Sequence, residues 1–375
     1  MGFDMVERDS VIPVRTLRMP WFCRTITLLL ICLIDFPAAA QDKGTTIQGR
    51  ELEEVEIEIE RGENEPLLDF REQLRVFIQR ISTYARSQNP NFVVIAKGSP
   101  ELLTKIDIID VEKVSTARTY IRSIDGILVD GLFFGEKSVG LATKPERLEK
   151  TLNYVRLAKK NNLNVMVMDY VTDAKQAEQS YGFSQELKLT PFVAGAKGED
   201  LNAIPTFLKT PFMENSKSIL SMVDAKNFLY LGDTSSFGRQ DEFALRIHDT
   251  NYDIIAVNIM HGRLPLSRQA VETLKYKKLG SKRLVLAHVD IGSAASHDYF
   301  WQAGWREGSP SWISGPTKDN PDRHFVQYWH PNWQNIIFGN TNSYIYGLTA
   351  QGFDGVILTG LESYKYFLGS KDDDE

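Results

Sequence analysis

The chain has 375 residues, 42% hydrophobic and 25% charged, an ordinary globular balance with room for one large domain or two smaller ones. Its net charge of -6 argues against a nucleic-acid partner, which would need clustered lysines and arginines. Both cysteines, Cys23 and Cys32, lie near the N-terminus, so the remainder carries no disulfide, thiol nucleophile or thiolate metal site.

Arg15, Arg18 and Arg24 precede an apolar run, Ile26 to Ile34, and then Phe36-Pro37-Ala38-Ala39-Ala40-Gln41. A basic region, a short apolar core and a small-residue site predict a signal peptide over 1–40, cut after Ala40. The expected location is secreted or periplasmic. The apolar core is short for a membrane span, so none is expected once the signal is removed. Left uncleaved, the same segment would be a signal anchor. Residues 41–65 form an acidic lead in which Val55, Ile57 and Ile59 alternate with glutamates. That lead reads either as a solvated tether or as an edge strand. Residues 371–375 are an acidic tail.

From residue 66 to 370 the pattern changes. Phe70, Leu74, Phe77, Ile78, Ile81 and Tyr84 share one helical face over 67–88, and Asn89-Pro90 ends that helix. Eight short apolar runs then recur: Phe92–Ala96, Ile124–Val129, Asn164–Met168, Thr190–Ala194, Phe228–Leu231, Asp253–Val257, Arg283–His288 and Phe353–Leu358. Helix-length stretches such as Pro145–Asn161 and Ser267–Leu279 separate them. Continuous apolar runs without polar alternation are strands buried on both faces, so a parallel sheet with outer helices is expected. Eight such units over about 300 residues is the count of an α/β (β/α)8 TIM barrel. Gly98-Ser99-Pro100 does not supply the phosphate turn that an open doubly wound sheet would want after its first strand.

Two stretches are distinctive: Phe325-Val-Gln-Tyr328-Trp329-His330-Pro331-Asn332-Trp333-Gln334, and Phe353-Asp354-Gly355-Val356-Ile357-Leu358-Thr359. Together they resemble the TIM-barrel family of extracellular proteins related to endo-α-1,4-polygalactosaminidase. In that family the segments resembling Asn89–Leu103, Ile124–Gly135 and Met168–Val171 follow the Asp-Gly-Val strand, whereas here they precede it. The resemblance therefore implies a circular permutation, with residues about 67–205 matching the family's second half and about 225–367 its first. The helix at 67–88 would then pack between the strands at 353–358 and 92–96.

The resemblance also locates the chemistry. Glycoside hydrolysis needs two carboxyl groups, and a barrel presents them at strand ends. The family's acids are replaced by Asn258, Ser293, Ala295 and Thr359, and its general-acid position by the shorter Asp130; Asp169-Tyr170 is unchanged. The replacements imply a glycoside-hydrolase-like protein that binds an amino-sugar or other polysaccharide or oligosaccharide without efficient cleavage. The alternative is an active endo-acting hydrolase with relocated carboxylates, Asp130 with Asp169 or Asp233. Asp290 and Glu362 are further strand-end acids. Each of these also suits the plainer task of capping a following helix. Candidate ligand-binding residues are Lys97, Tyr170, Asn258, His297, Trp301, Trp329, His330, Thr359 and Glu362. The tryptophans serve equally well as the core of the long loop over 297–333. The six histidines show neither HxH nor HExxH spacing, and no metal or other cofactor is implied.

Overall fold

The computed structural model describes residues 68–106 and 114–369, all within one compact unit, Pro66–Glu375. The expected signal peptide, the acidic lead and the acidic tail lie outside the described residues. The chain opens with helix α1 (Phe70–Gln88), which Asp69 caps by accepting the Glu72 N–H at 3.0 Å. Its apolar face, Leu74, Phe77, Ile78, Ile81 and Ala85, is fully buried.

Eight parallel strands follow: β1 (Val93–Lys97), β2 (Gly126–Asp130), β3 (Asn164–Tyr170), β4 (Thr190–Ala194), β5 (Phe228–Leu231), β6 (Ile254–Asn258), β7 (Leu284–Asp290) and β8 (Gly355–Thr359). Each corresponds to one of the apolar runs. Their order in the sheet is β4-β3-β2-β1-β8-β7-β6-β5, so the first and last strands pair, from Val93 beside Gly355 to Ala96 beside Leu358. The result is a nearly closed, TIM-barrel-like sheet.

The outer layer comprises α2 (Arg118–Ser123), α3 (Pro145–Lys160), α4 (Ala174–Glu186), α5 (Gln240–His248), α6 (Arg268–Leu274), α7 (Pro331–Ile337) and α8 (Tyr344–Gln351), with the short α9 (Tyr364–Phe367) after β8. Helix α1 packs against α2, α8 and α9, the outer position between β8 and β1. Helix α6 ends earlier than its sequence suggests, because the chain turns at Lys275 and Lys277 is drawn into the barrel base. Among the described residues no helix is long and apolar enough to cross a membrane.

One seam interrupts the ring. Strands β4 and β5 lie side by side without a strand ladder, and the connection between them, residues 195–227, holds only the 3-10 turns Gly198–Asp200 and Met222–Asp224. Phe192 and Phe228 meet across the seam with ring centroids 5.3 Å apart. Above them the Gly232 N–H donates to the Leu201 carbonyl at 2.8 Å.

The base is held by aspartates just before strands. Asp125 accepts the Val94 N–H at 2.7 Å, Asp354 accepts the Val285 N–H at 2.9 Å, and Asp253 accepts the Lys226 N–H at 2.7 Å. Each ties the start of one strand to its neighbour. Gly126 and Gly355 follow two of them because a Cβ there would lie 2.5 Å from the Asn164 carbonyl and 2.4 Å from the Val93 carbonyl. Asp253 does more. It and Lys277 are fully buried and paired at 2.6 Å, and Asn215 donates to it at 3.1 Å. Lys277 also donates to the Lys217 carbonyl at 2.9 Å, so the pair fastens the 195–227 connection to the base.

Removing one partner of such a pair leaves a buried charge alone. Asp253→Ala is therefore expected to destabilise the protein by about 3–5 kcal/mol in urea unfolding. Asp253→Leu with Lys277→Met should recover part of that loss; a double variant no better than the single one would argue against the pairing.

Candidate functional site

The strand C-termini open into a cavity of about 940 Å³. Lys97, Tyr170, Tyr230, Asn258, His288, Asp290 and Thr359 reach it directly from β1, β3, β5, β6, β7 and β8. The long β7-to-β8 connection adds His297, Asp298, Tyr299, Phe300, Arg323 and Tyr344. This is the end at which parallel β/α barrels carry their ligand chemistry.

On one side Lys97 forms an ion pair with Asp130, and the Tyr170 hydroxyl donates to the other Asp130 oxygen at 3.1 Å. Burial works most strongly against the Lys97 charge, but Asp130, Tyr230 and Glu362 together outweigh it and hold the ammonium above the ordinary lysine range. Burial, and then the Asp130 charge, push the Tyr170 phenol well above its usual range, so it remains a donor. Lys197 lies 4.9 Å from the Tyr170 ring centroid and donates to the Glu136 carbonyl at 2.9 Å.

At the floor His288 stacks on Tyr230, centroids 5.0 Å apart at 14°. Its Nε2–H donates to the Leu231 carbonyl at 3.0 Å, which leaves Nδ1 as the ring's acceptor. Burial first, and then the Lys97 charge, lower the imidazole to about 4 against the opposing Leu231 hydrogen bond, so the ring is neutral at physiological pH.

Asp290 sits beside Thr359 in register. One of its oxygens accepts the Gly292 and Ser293 N–H groups, both at 2.9 Å; the other accepts the Ser293 hydroxyl at 2.7 Å and Arg323 at 3.3 Å. Asp233 closes a local turn, accepting the Ser235 N–H at 3.0 Å and its hydroxyl at 2.5 Å. Glu362 is different. It is solvent-accessible and lies against Gly98, with no ion pair among the described residues. Desolvation raises its carboxyl, as do the charges of Asp290 and Asp130, against its backbone hydrogen bond and the Lys97 charge. Asp298 is raised too, by burial first, and accepts the Ala295 N–H at 2.7 Å.

The structure brings together Lys97, Asp130, Tyr170, Asp233, Asn258, His297, Thr359 and Glu362 around this end. It removes four other candidates. Met168 and Tyr170 face the cavity, so the period-2 alternation of β3 turns Asp169 outward, where the Ser180 hydroxyl donates at 2.6 Å and the Phe133 N–H at 3.0 Å. Asp169 is fully buried and raised to about 6 by that burial. Trp301 packs on Trp305 and His324 within the loop's own core. Trp329 packs on Phe70 and Phe367, over α1. His330 caps α7, its Nδ1 accepting the Asn332 N–H at 3.2 Å. Ser293 donates its N–H and hydroxyl to Asp290. Sequence reasoning missed Tyr230, His288, Asp298, Arg323 and Tyr344. The polar end of β7 could have signalled His288, whereas nothing local marks Arg323 or Tyr344. Among the described residues no cluster of three or more histidines, cysteines or acids could hold a metal.

Fold and site together define a parallel β/α barrel with a charged, aromatic-lined mouth. No protein-family model matches the chain. It is similar to proteins described as uncharacterized from Methanocaldococcus jannaschii (27% identical over 170 residues), Deinococcus radiodurans (36% over 83) and Thermotoga maritima (32% over 82). The matches cover 43%, 22% and 22% of this chain, and they span 47%, 26% and 24% of those relatives.

Asp169 and His288 oppose each other in the pH dependence of stability. Asp169, raised to about 6, favours folding below its unfolded value near 4 and loses that contribution as pH rises through 6. His288, lowered to about 4, contributes above its unfolded value near 6.5 and loses that contribution as pH falls through 4. Between pH 4 and 6 the two slopes oppose each other. Asp169→Asn should therefore make stability climb more steeply with pH in that window, and His288→Gln should tilt it the other way. Each change is on the order of 2 kcal/mol across the window, read by urea denaturation at fixed pH. Unchanged profiles in both variants would contradict the assignment.

Proposed function

We propose that this protein is a secreted, glycoside-hydrolase-like barrel whose mouth binds a polysaccharide without efficient cleavage, related by permutation to the endo-α-1,4-polygalactosaminidase family. One observation carries the functional reading. Asp130, Asp233 and Asp290 each commit both carboxylate oxygens to protein donors, while the position that resembles the family's nucleophile is Thr359. A hydrolase needs one carboxyl free to protonate the leaving oxygen and a second free to attack or to activate water. Ion-paired, hydrogen-bonded groups beside aromatic faces suit recognition of a polyhydroxylated ligand instead.

Three features support the permuted order: the unpaired seam at β4 and β5, the helix-free connection between them, and α1 in the outer layer between β8 and β1. Phe70 and Phe367 touch at 5.6 Å. A chain rebuilt to start near Ala225, with Gly369 joined to Leu68 by a short glycine-serine linker, is therefore expected to fold with the same far-ultraviolet spectrum. Failure of that chain to fold would count against the permuted reading.

Glu362 favours a second reading, an active hydrolase with this residue as proton donor. The deciding experiment incubates the protein from Gln41 onward with galactosamine- and glucosamine-containing polysaccharides, beside Glu362→Gln and Asp130→Asn. Binding without oligosaccharide release is the expected result. Release that falls at least a hundredfold in Glu362→Gln would overturn it in favour of the hydrolase.

A further inference from the structure

Tyr299 is 53% exposed, yet its ring is fixed. Its hydroxyl donates to the Asn342 carbonyl at 3.3 Å, and its ring meets Tyr344 edge-on at 4.8 Å and Phe300 at 5.5 Å. Phe300 in turn rests on Trp333 at 5.6 Å. Trp333 is fully buried and donates its indole N–H to the Ile291 carbonyl at 3.0 Å. The exposed ring of this stack is Tyr299. This one is held in place from behind while half of it is left open, and all three rings line the mouth.

The position of the platform matters. Its loop rises from β7, and Tyr170 rises from β3, four strands away in a ring of eight. Tyr170 thus stands across the mouth from the aromatic platform, with its partner Asp130 three strands and Lys97 two strands from β7. A cavity of about 940 Å³ lies near the top of the ~300–1,000 Å³ range of small-molecule pockets, more than one sugar ring requires.

We propose that Tyr299, supported by Phe300 and Tyr344, is an outer stacking subsite, and that the ligand is a chain of several sugar rings lying across the barrel from β3 to β7. This rests on the glycan-binding reading above. The polar side would orient one ring through hydrogen bonds, and the platform would take the apolar C–H face of another.

The test is calorimetric titration of the protein from Gln41 onward with galactosamine oligomers of one to six units. Affinity should rise at least tenfold from monomer to hexamer. Tyr299→Ala should remove most of that rise while leaving monomer affinity within twofold, and Tyr299→Phe should keep it. Equal affinity for monomer and hexamer would overturn the extended-ligand inference while leaving the binding reading intact. A length dependence unchanged in Tyr299→Ala would overturn the placement of the subsite. Absence of binding at every length would overturn the reading on which the subsite rests, and the subsite with it.

Discussion

A carboxylate just before a strand, accepting the backbone N–H where the neighbouring strand begins, is the contact on which this barrel depends. Parallel strands in a closed ring are staggered, so the base leaves N–H groups without ladder partners, and an unpaired buried N–H is costly. Asp125, Asp253 and Asp354 each take one. Asp253 has the largest part, because its pairing with Lys277 and Asn215 also anchors the connection that crosses the seam. The seam has no ladder, so it is closed by three separate contacts: this cluster below, the Phe192–Phe228 contact between the strands, and the Leu201–Gly232 bond above. The last of these leads straight to the rim, since Leu201, Gly232 and Asp233 all line the mouth.

The same contact changes how the sequence is read. Phe353-Asp354-Gly355 and Ile124-Asp125-Gly126 look like chemical signatures, but their acids stand at the base, at the end opposite the cavity. They determine register and close approach, whereas the residues at the cavity end of the same strands, Asp130 and Thr359, come five positions later. Strand parity then divides those later residues. In β3, Met168 and Tyr170 face inward and Asp169 faces the helices, so an acid that looks catalytic by position bonds instead to Ser180 of α4.

The strands were legible because each is a short, continuous apolar run. The inward polar residues that end them, Lys97, Tyr170, Asn258 and Thr359, were legible for the same reason. Strand-end parity was less so, because a one-residue change in where β3 begins reverses which side Asp169 takes. The long β7-to-β8 connection was hardest. Five tryptophans there looked alike, yet Trp312 and Trp333 are buried, Trp301 packs with Trp305 within the loop and Trp329 packs over α1. The rings that reach the mouth are Tyr299, Phe300 and Tyr344. No local pattern separates these outcomes, because each depends on contacts between residues far apart in sequence; Arg323 and Asp290 are a further case.

Thr359 and Asp290 show why counting acids is a poor guide to catalysis. They are partners in the register of β8 and β7, so a carboxylate stands beside the position where the resemblance would put the family's acid. Position alone would make Asp290 a replacement. Its chemistry does not, because four donors surround it and Arg323 neutralises its charge. A carboxylate acts as nucleophile or base through a lone pair directed at substrate, and Asp290 directs its lone pairs at the loop that begins with Gly292. That arrangement makes it a positioning group. It holds the start of the long connection against the barrel rim, and this connection carries the aromatic rings into the mouth. Glu362, after the end of β8, has no ion pair among the described residues, and burial and the charges of Asp290 and Asp130 raise its carboxyl, so it differs from Asp290 in kind.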